Sequence, residues 1–173
     1  MAHRSPPGFD RLAPVSDRYA SLPVGDAFTW DEVAAAVPPG EWYMVAFRST
    51  RHPFVDESAL MMHDDWAHAE AMHAPGFVHY VKGPTTEGGL CLSFCLWSSR
   101  AAARAAAGQP AHAAAVALTH EAYEEYSLEF HRVTRLADDA RFTFEFYDRL
   151  EIETADPQPA SVVADLAPGP ALA

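Results

Sequence analysis

Leu90-Cys91-Leu92-Ser93-Phe94-Cys95-Leu96-Trp97 is an eight-residue run that is apolar on both of its alternating sides. Side chains of a strand point by turns to the two faces of a sheet, so such a run belongs inside a sheet covered on both sides. Trp42-Tyr43-Met44-Val45-Ala46-Phe47 has the same character, with aromatic and branched residues that favour strands. Between the two, Asp56 is placed to cap a helix running to about Ala74, and Pro75-Gly76 stops it. Phe77 to Lys82 then reads as a short strand, and the glycine-rich loop 83–89 turns the chain. After Trp97, Ser98 or Ser99 is placed to cap the alanine-rich helix Ala101–Ala107. Gly108-Gln109-Pro110 interrupts it, and Pro110 opens a second helix to about Tyr126. Leu128 to Thr134 reads as a strand, and Phe142 to Tyr147 alternates with period two, as an edge or half-exposed strand does. The order strand, helix, strand, strand, helix, strand is the split βαβ of the ferredoxin-like α+β fold, with one extra C-terminal strand.

The remainder of the 173 residues fits a single domain with flanking segments. Residues 1–40 read as an N-terminal arm, rich in Pro, Gly and Asp. Within it, Thr29 and Glu32 form a capping-box pattern for a short helix to about Val37. The domain proper covers 41–150, and 151–173, rich in Pro, Ala and Gly, reads as a flexible C-terminal tail. Twenty-four acidic against twelve basic residues leave a net charge of -12. Such a chain repels phosphates, which argues against nucleic acid and anionic membrane as partners. No run of 18 apolar residues exists to span a bilayer, and Met1–Asp10 has no apolar core of a signal peptide. The expectation is a cytoplasmic protein. Cys91 and Cys95 lie too far apart along one strand for a disulfide and read as small buried apolar residues.

Nine histidines raise the question of chemistry. Glu70-Ala71-Met72-His73 is a single Glu-x-x-His, and a di-iron bundle needs two such pairs. His120 and Glu124 match a zinc helix in one ligand only and read as a solvated pair. On the first long helix, Val55, Ala59, Met62, Trp66, Ala69 and His73 fall on one stripe, expected to face inward, with Glu57, Asp64 and His68 outside. His79 and His131 lie in strands, Glu129 shares a face with His131, and Arg48 ends the first strand. Histidine titrates near neutrality and suits proton transfer, while arginine suits an enolate or carboxylate. His79, His131, His73 and Arg48 are therefore the catalytic candidates, and Trp66 and Tyr123 are candidates to shape a substrate pocket, with Tyr126 beside them.

The segment Pro75 to about Val116 resembles the antibiotic-biosynthesis-monooxygenase superfamily of dimeric α+β barrels. The resembling residues are Pro75-Gly76-Phe77, Leu96-Trp97-Ser98-Ser99, the alanine-rich helix that follows, and Pro110-Ala111-His112. The resemblance implies a homodimer with facing sheets and a small-molecule pocket between each sheet and its own helices. It implies cofactor-independent oxygenation, or proton-transfer isomerisation, of an apolar or aromatic, polyketide-like substrate. Trp66 takes the place of the superfamily's Trp, with Met62 one turn before it. The superfamily's haem branch implies a second possibility, haem binding through His112 or His120. A third is a ligand-binding or interaction protein without catalysis, because one fold serves many functions.

Overall fold

The computed structural model describes residues 6–154. Five antiparallel strands form one sheet in the order β2-β3-β1-β4-β5. They are β1 (Gly40–Arg51), β2 (Phe77–Val81), β3 (Leu90–Trp97), β4 (Tyr123–Arg135) and β5 (Phe142–Ile152). The first four have the ferredoxin-like order and β5 extends the sheet beside β4, so the α+β assignment stands. Three main helices cross one side: α3 (Glu57–Ala71), α4 (Arg100–Ala107) and α5 (Pro110–Ala122). Two single-turn helices in the arm, α1 (Val24–Ala27) and α2 (Trp30–Val33), precede them.

Helix starts follow the local chemistry. Asp56 Oδ1 accepts the N–H of Ser58 and of Ala59, both at 3.0 Å, and Ser99 Oγ accepts that of Ala102 at 3.2 Å. Thr29 differs from expectation: its hydroxyl accepts the N–H of Ala13 at 3.1 Å instead of capping α2, which stops at Val33. α5 also ends earlier than its alanine content suggests. Tyr123 to Tyr126 leave the helix and join the ladder with β1, Tyr126 opposite Ser49 and Tyr123 opposite Arg51.

Of the two states open to the arm from sequence, lying on the domain or partly disordered, the structure has the first. The arm is packed against the sheet. Phe9, Tyr19, Val24, Phe28, Trp30, Val33 and Val37 are each 3% exposed or less. They cover the sheet face made by Trp42, Met44, Ala46, Leu92, Phe94, Leu96 and Val133. Trp30 stacks on Phe94 at 5.3 Å and meets Phe142 and Phe144 edge-on at 5.1 and 5.0 Å. Tyr19 donates its hydroxyl to Pro84 O at 2.6 Å. A Cβ at Gly83 would collide with the Leu92 carbonyl and with that hydroxyl, so the loop passes there only as glycine. The resemblance assigned this sheet face to a partner copy; the chain's own arm covers it. Glu151 and Ile152, expected in the tail, end β5, and residues 155–173 lie outside the described residues. Among the described residues no helix is long and apolar enough to cross a membrane.

Candidate functional site

A cavity of about 360 Å³ lies on the opposite face of the sheet, beneath α3, α4 and α5. That volume falls in the range of small-molecule sites. The strand register builds its floor in rows. Ser49 lies between Cys91 and Tyr126, Phe47 between Ser93 and Leu128, and Val45 between Cys95 and Phe130; Tyr43 lies beside Trp97. The floor thus grades from a polar end at Ser49 to an aromatic end at Tyr43 and Trp97. The roof comes from helix faces at three- and four-residue spacing: Leu60, His63, Asp64, Ala67, His68 and Ala71 of α3, then His112, Ala115, Val116 and Thr119 of α5.

This inverts the expected orientation of α3. Met62 and Trp66 are 43% and 53% exposed, while His63, His68 and Asp64 face inward. The physical reason is the cavity. A helix that roofs an open space presents small and polar side chains to it, and the larger apolar stripe is left outside.

The wall groups are mostly neutral hydrogen-bonding groups. Tyr80 donates its hydroxyl to Asp64 Oδ1 at 2.9 Å, and Lys82 Nζ pairs with Asp64 Oδ2 at 2.6 Å. Burial, then the Asp64 charge, raises the Tyr80 phenol well above its usual range. Tyr123 and Tyr126 lie with ring centroids 4.9 Å apart. Burial pushes Tyr123 up to about 12. Burial first and Tyr123 next push Tyr126 up as well. All three phenols therefore stay protonated at neutral pH and act as donors. Burial also pushes the Cys95 thiol up to about 12, and Trp97 Nε1–H donates to its sulfur at 2.9 Å. A thiol held protonated is a poor nucleophile. Burial lowers His112, with Glu70 opposing, so its imidazole is neutral. The Glu70 carboxylate accepts the N–H of Ala111 at 3.2 Å and of His112 at 3.0 Å, capping α5 from a neighbouring helix. His63 Nδ1 is buried with no hydrogen-bond partner among the described residues.

Of the candidate site residues named from the sequence, Tyr123, Tyr126 and His112 line the cavity. Arg48 and His131 come together on the arm face, with Glu129 between them. Arg48 Nε donates to Glu129 Oε1 at 2.8 Å, and its other nitrogens reach Ala20 O and Leu22 O of the arm. His131 Nε2 lies 3.5 Å from Glu129 Oε2, an ion-pair distance without hydrogen-bond alignment. His131 first, with Arg48, holds the Glu129 carboxyl down to about 2. His79 stacks on Phe9 at 6.1 Å, also on the arm side. His73 is exposed at the end of α3, its Nδ1 2.8 Å from Ala69 O, and Trp66 is on the outer surface. Asp64 and His68, expected on the outer side of α3, line the cavity instead, and His63 and Tyr80 were not singled out from the sequence. Their signal is the polar and alanine face of α3 at positions 60, 63, 64, 67, 68 and 71. Among the described residues no three His, Cys, Asp or Glu side chains gather as a metal ligand set.

A family model described as PB2B2.08-like matches residues 7–147, which takes in the arm, the sheet up to mid-β5 and all the helices. The chain belongs to this family. No curated protein matches it. Among solved structures it is similar to SnoaB, a cofactor-independent oxygenase from Streptomyces nogalater, at 17% identity and a TM-score of 0.45, over 57% of this chain and 98% of that one. It is similar to a protein from Chloroflexus aurantiacus assigned as an antibiotic biosynthesis monooxygenase, at 17% identity and 0.42, over 57% and 96%. A protein of unknown function from Nitrosomonas europaea is similar at 14% and 0.41, over 69% and 96%. Each likeness is one of fold alone.

Proposed function

We propose that this member of the PB2B2.08-like family is a small-molecule enzyme. It takes an apolar, aromatic-sized substrate into the cavity under α3 and α5 and activates it by removing a proton. The observation that carries this reading is the wall itself: protonated phenols, together with the imidazoles of His63, His68 and His112, line a mainly apolar space. Histidine accepts a proton at neutral pH, and phenolic O–H groups hold the oxygen on which negative charge develops. Proton removal opens two reactions. Return of the proton to another carbon is an isomerisation; transfer of the electrons to dioxygen is oxygenation without a cofactor. Arg48, Glu129 and His131 fasten the arm in this reading.

The test uses 1,8-dihydroxyanthrone, whose ionisation and oxidation are both visible by absorbance. The chain accelerates one or both, and the Tyr123→Phe/Tyr126→Phe double variant does not. A probe that is bound and recovered unchanged favours the non-catalytic ligand-binding reading instead.

Haem is the alternative ligand, with His112 as the axial residue. Its neutral imidazole is the form that binds iron. The two propionates of haem need cationic partners, whereas the cavity wall offers Arg104 alone, together with the Asp64 carboxylate. The wall therefore fits haem poorly, and a titration is expected to give no Soret shift. A homodimer is also part of this proposal. It would use a surface other than the arm-covered sheet face, and light scattering would give about twice the 18.9 kDa chain mass.

A further inference from the structure

The cavity's three histidines are spread along its length, His63 and His68 on α3 and His112 on α5. α5 carries His112 near its start and hands on to Tyr123 after its end. Eleven residues at 1.5 Å each put the two about 16 Å apart along the helix. His112 belongs to the end where Glu70 ties α3 to α5. α3 runs the opposite way. It begins by the polar end, where Glu57 Oε1 lies 3.6 Å from Arg51 Nη1, two residues beyond Ser49. It reaches the aromatic end at His68, whose ring lies 6.1 Å from Phe77, the register partner of Trp97. Leu60 and His63 are the cavity-lining residues of its first half.

Five observations bear on that end. Ser49, Cys91 and Tyr126 form one cross-strand row. Tyr123 and Tyr126 are in ring contact. No hydrogen bond among the described residues engages either hydroxyl, although burial keeps both protonated. Asp64, next to His63 on α3, acts electrostatically on both phenols. His63 Nδ1 is buried without a partner. Buried polar atoms nearly always have a partner; His63 Nδ1 has none, and the two phenols line the same open space, a set that a ligand can complete. His112, by contrast, has its backbone N–H bound by Glu70 at the far end of α5.

We propose that the reacting end of the substrate lies at the Ser49 end of the cavity, with His63 as the proton acceptor and the Tyr123 and Tyr126 hydroxyls as the pair that holds its oxygen. This rests on the enzyme reading above and names the residue that acts in it. The substrate is then a carbonyl or phenol-bearing ring system, entering oxygen first with its apolar rings against Phe47, Val45 and Trp97. A C–H bond next to the carbonyl breaks. The proton passes to a ring nitrogen of His63, and the electron pair shifts onto the oxygen as an enolate accepting both phenolic O–H groups. Return of the proton from His63 restores the enzyme. No oxidant enters this step.

The experiment is anaerobic deuterium exchange at the methylene of 1,8-dihydroxyanthrone in D₂O, read by mass spectrometry, with binding followed by calorimetry and folding by near-ultraviolet circular dichroism. The wild-type chain accelerates exchange. His63→Gln slows it about a hundredfold or more, as loss of a general base does, while the probe still binds. Tyr126→Phe weakens binding and slows exchange, and His112→Gln slows exchange far less than His63→Gln does. Exchange that survives His63→Gln, or that is lost in His112→Gln alone, overturns the assignment of His63 and leaves the enzyme reading standing. A wild-type chain that binds the probe without accelerating exchange overturns the proton-transfer reading itself.

Discussion

The two faces of this sheet are built from the same strands and do opposite work. On the arm face, eighteen buried residues, six of them aromatic, close into one cluster with Trp30 and Phe94 at its centre. On the helix face the buried cluster has six members, and the space they leave open is the cavity. One face spends its apolar surface on stability, at roughly 25 cal/mol for each Å² buried. The other leaves Tyr43, Val45 and Phe47 partly uncovered. The lesson is a division of labour: a short arm from outside the ferredoxin-like unit relieves the helices of holding the sheet, so that they are free to roof a pocket.

Substitutions that strike one face and spare the other would break this contrast. The largest effect is expected from Trp30→Ala, about 3–5 kcal/mol lost in urea unfolding, because the aromatic cluster cannot collapse to fill the gap. Phe47→Ala, on the cavity side, is expected to cost about 1–2 kcal/mol, since part of its surface already meets open space. Equal losses at the two positions would end the distinction. Next comes Arg48→Met, which removes the arm's tie to Ala20 O and Leu22 O and leaves Glu129 without its closest partner. About 3 kcal/mol is expected, with limited proteolysis cutting first in the arm.

Acid provides a smaller test on the same face. Glu129 has a folded value of about 2 against an ordinary 4.5. A depressed carboxyl stabilises the fold above its unfolded value and loses that contribution as pH falls. Stability should therefore decline between about pH 4.5 and 2, and Glu129→Gln should flatten that part of the profile while lowering stability at neutral pH. The smallest effect on stability belongs to Tyr126→Phe, below about 0.5 kcal/mol, because the hydroxyl has no protein partner to lose. Its effect on ligand binding should be the larger of the two, roughly fivefold to tenfold for one hydrogen bond.

Much of this division is written in the chain. Doubly apolar β1 and β3, the caps at Asp56 and Ser99 and the proline at 110 mark the elements, because each is decided by neighbours a few residues away. The end of α5 was not legible. Alanine propensity carries the helix onward, and the ladder with β1, some 75 residues earlier, draws Tyr123 to Tyr126 out of it. The arm has no period of its own, since its contacts are set by the sheet it lies on. Alternation placed Glu129 and His131 on one side of β4 and could not say which side that was, as both faces of the neighbouring strands are apolar. The same blindness hid His63, Asp64 and His68. A hydrophobic stripe predicts burial only where the space it faces is filled.

The inverted roof also sorts the four tryptophans. Trp30, Trp42 and Trp97 are 3%, 8% and 2% exposed, and Trp66 is 53% exposed. A soluble collisional quencher such as iodide therefore reaches one indole and leaves three dark to it. The quenchable part of the emission reports the outside of α3. The protected part includes Trp97 in the cavity wall, so an occupant of the cavity and a partner on the outer helix write to separate optical channels of one chain.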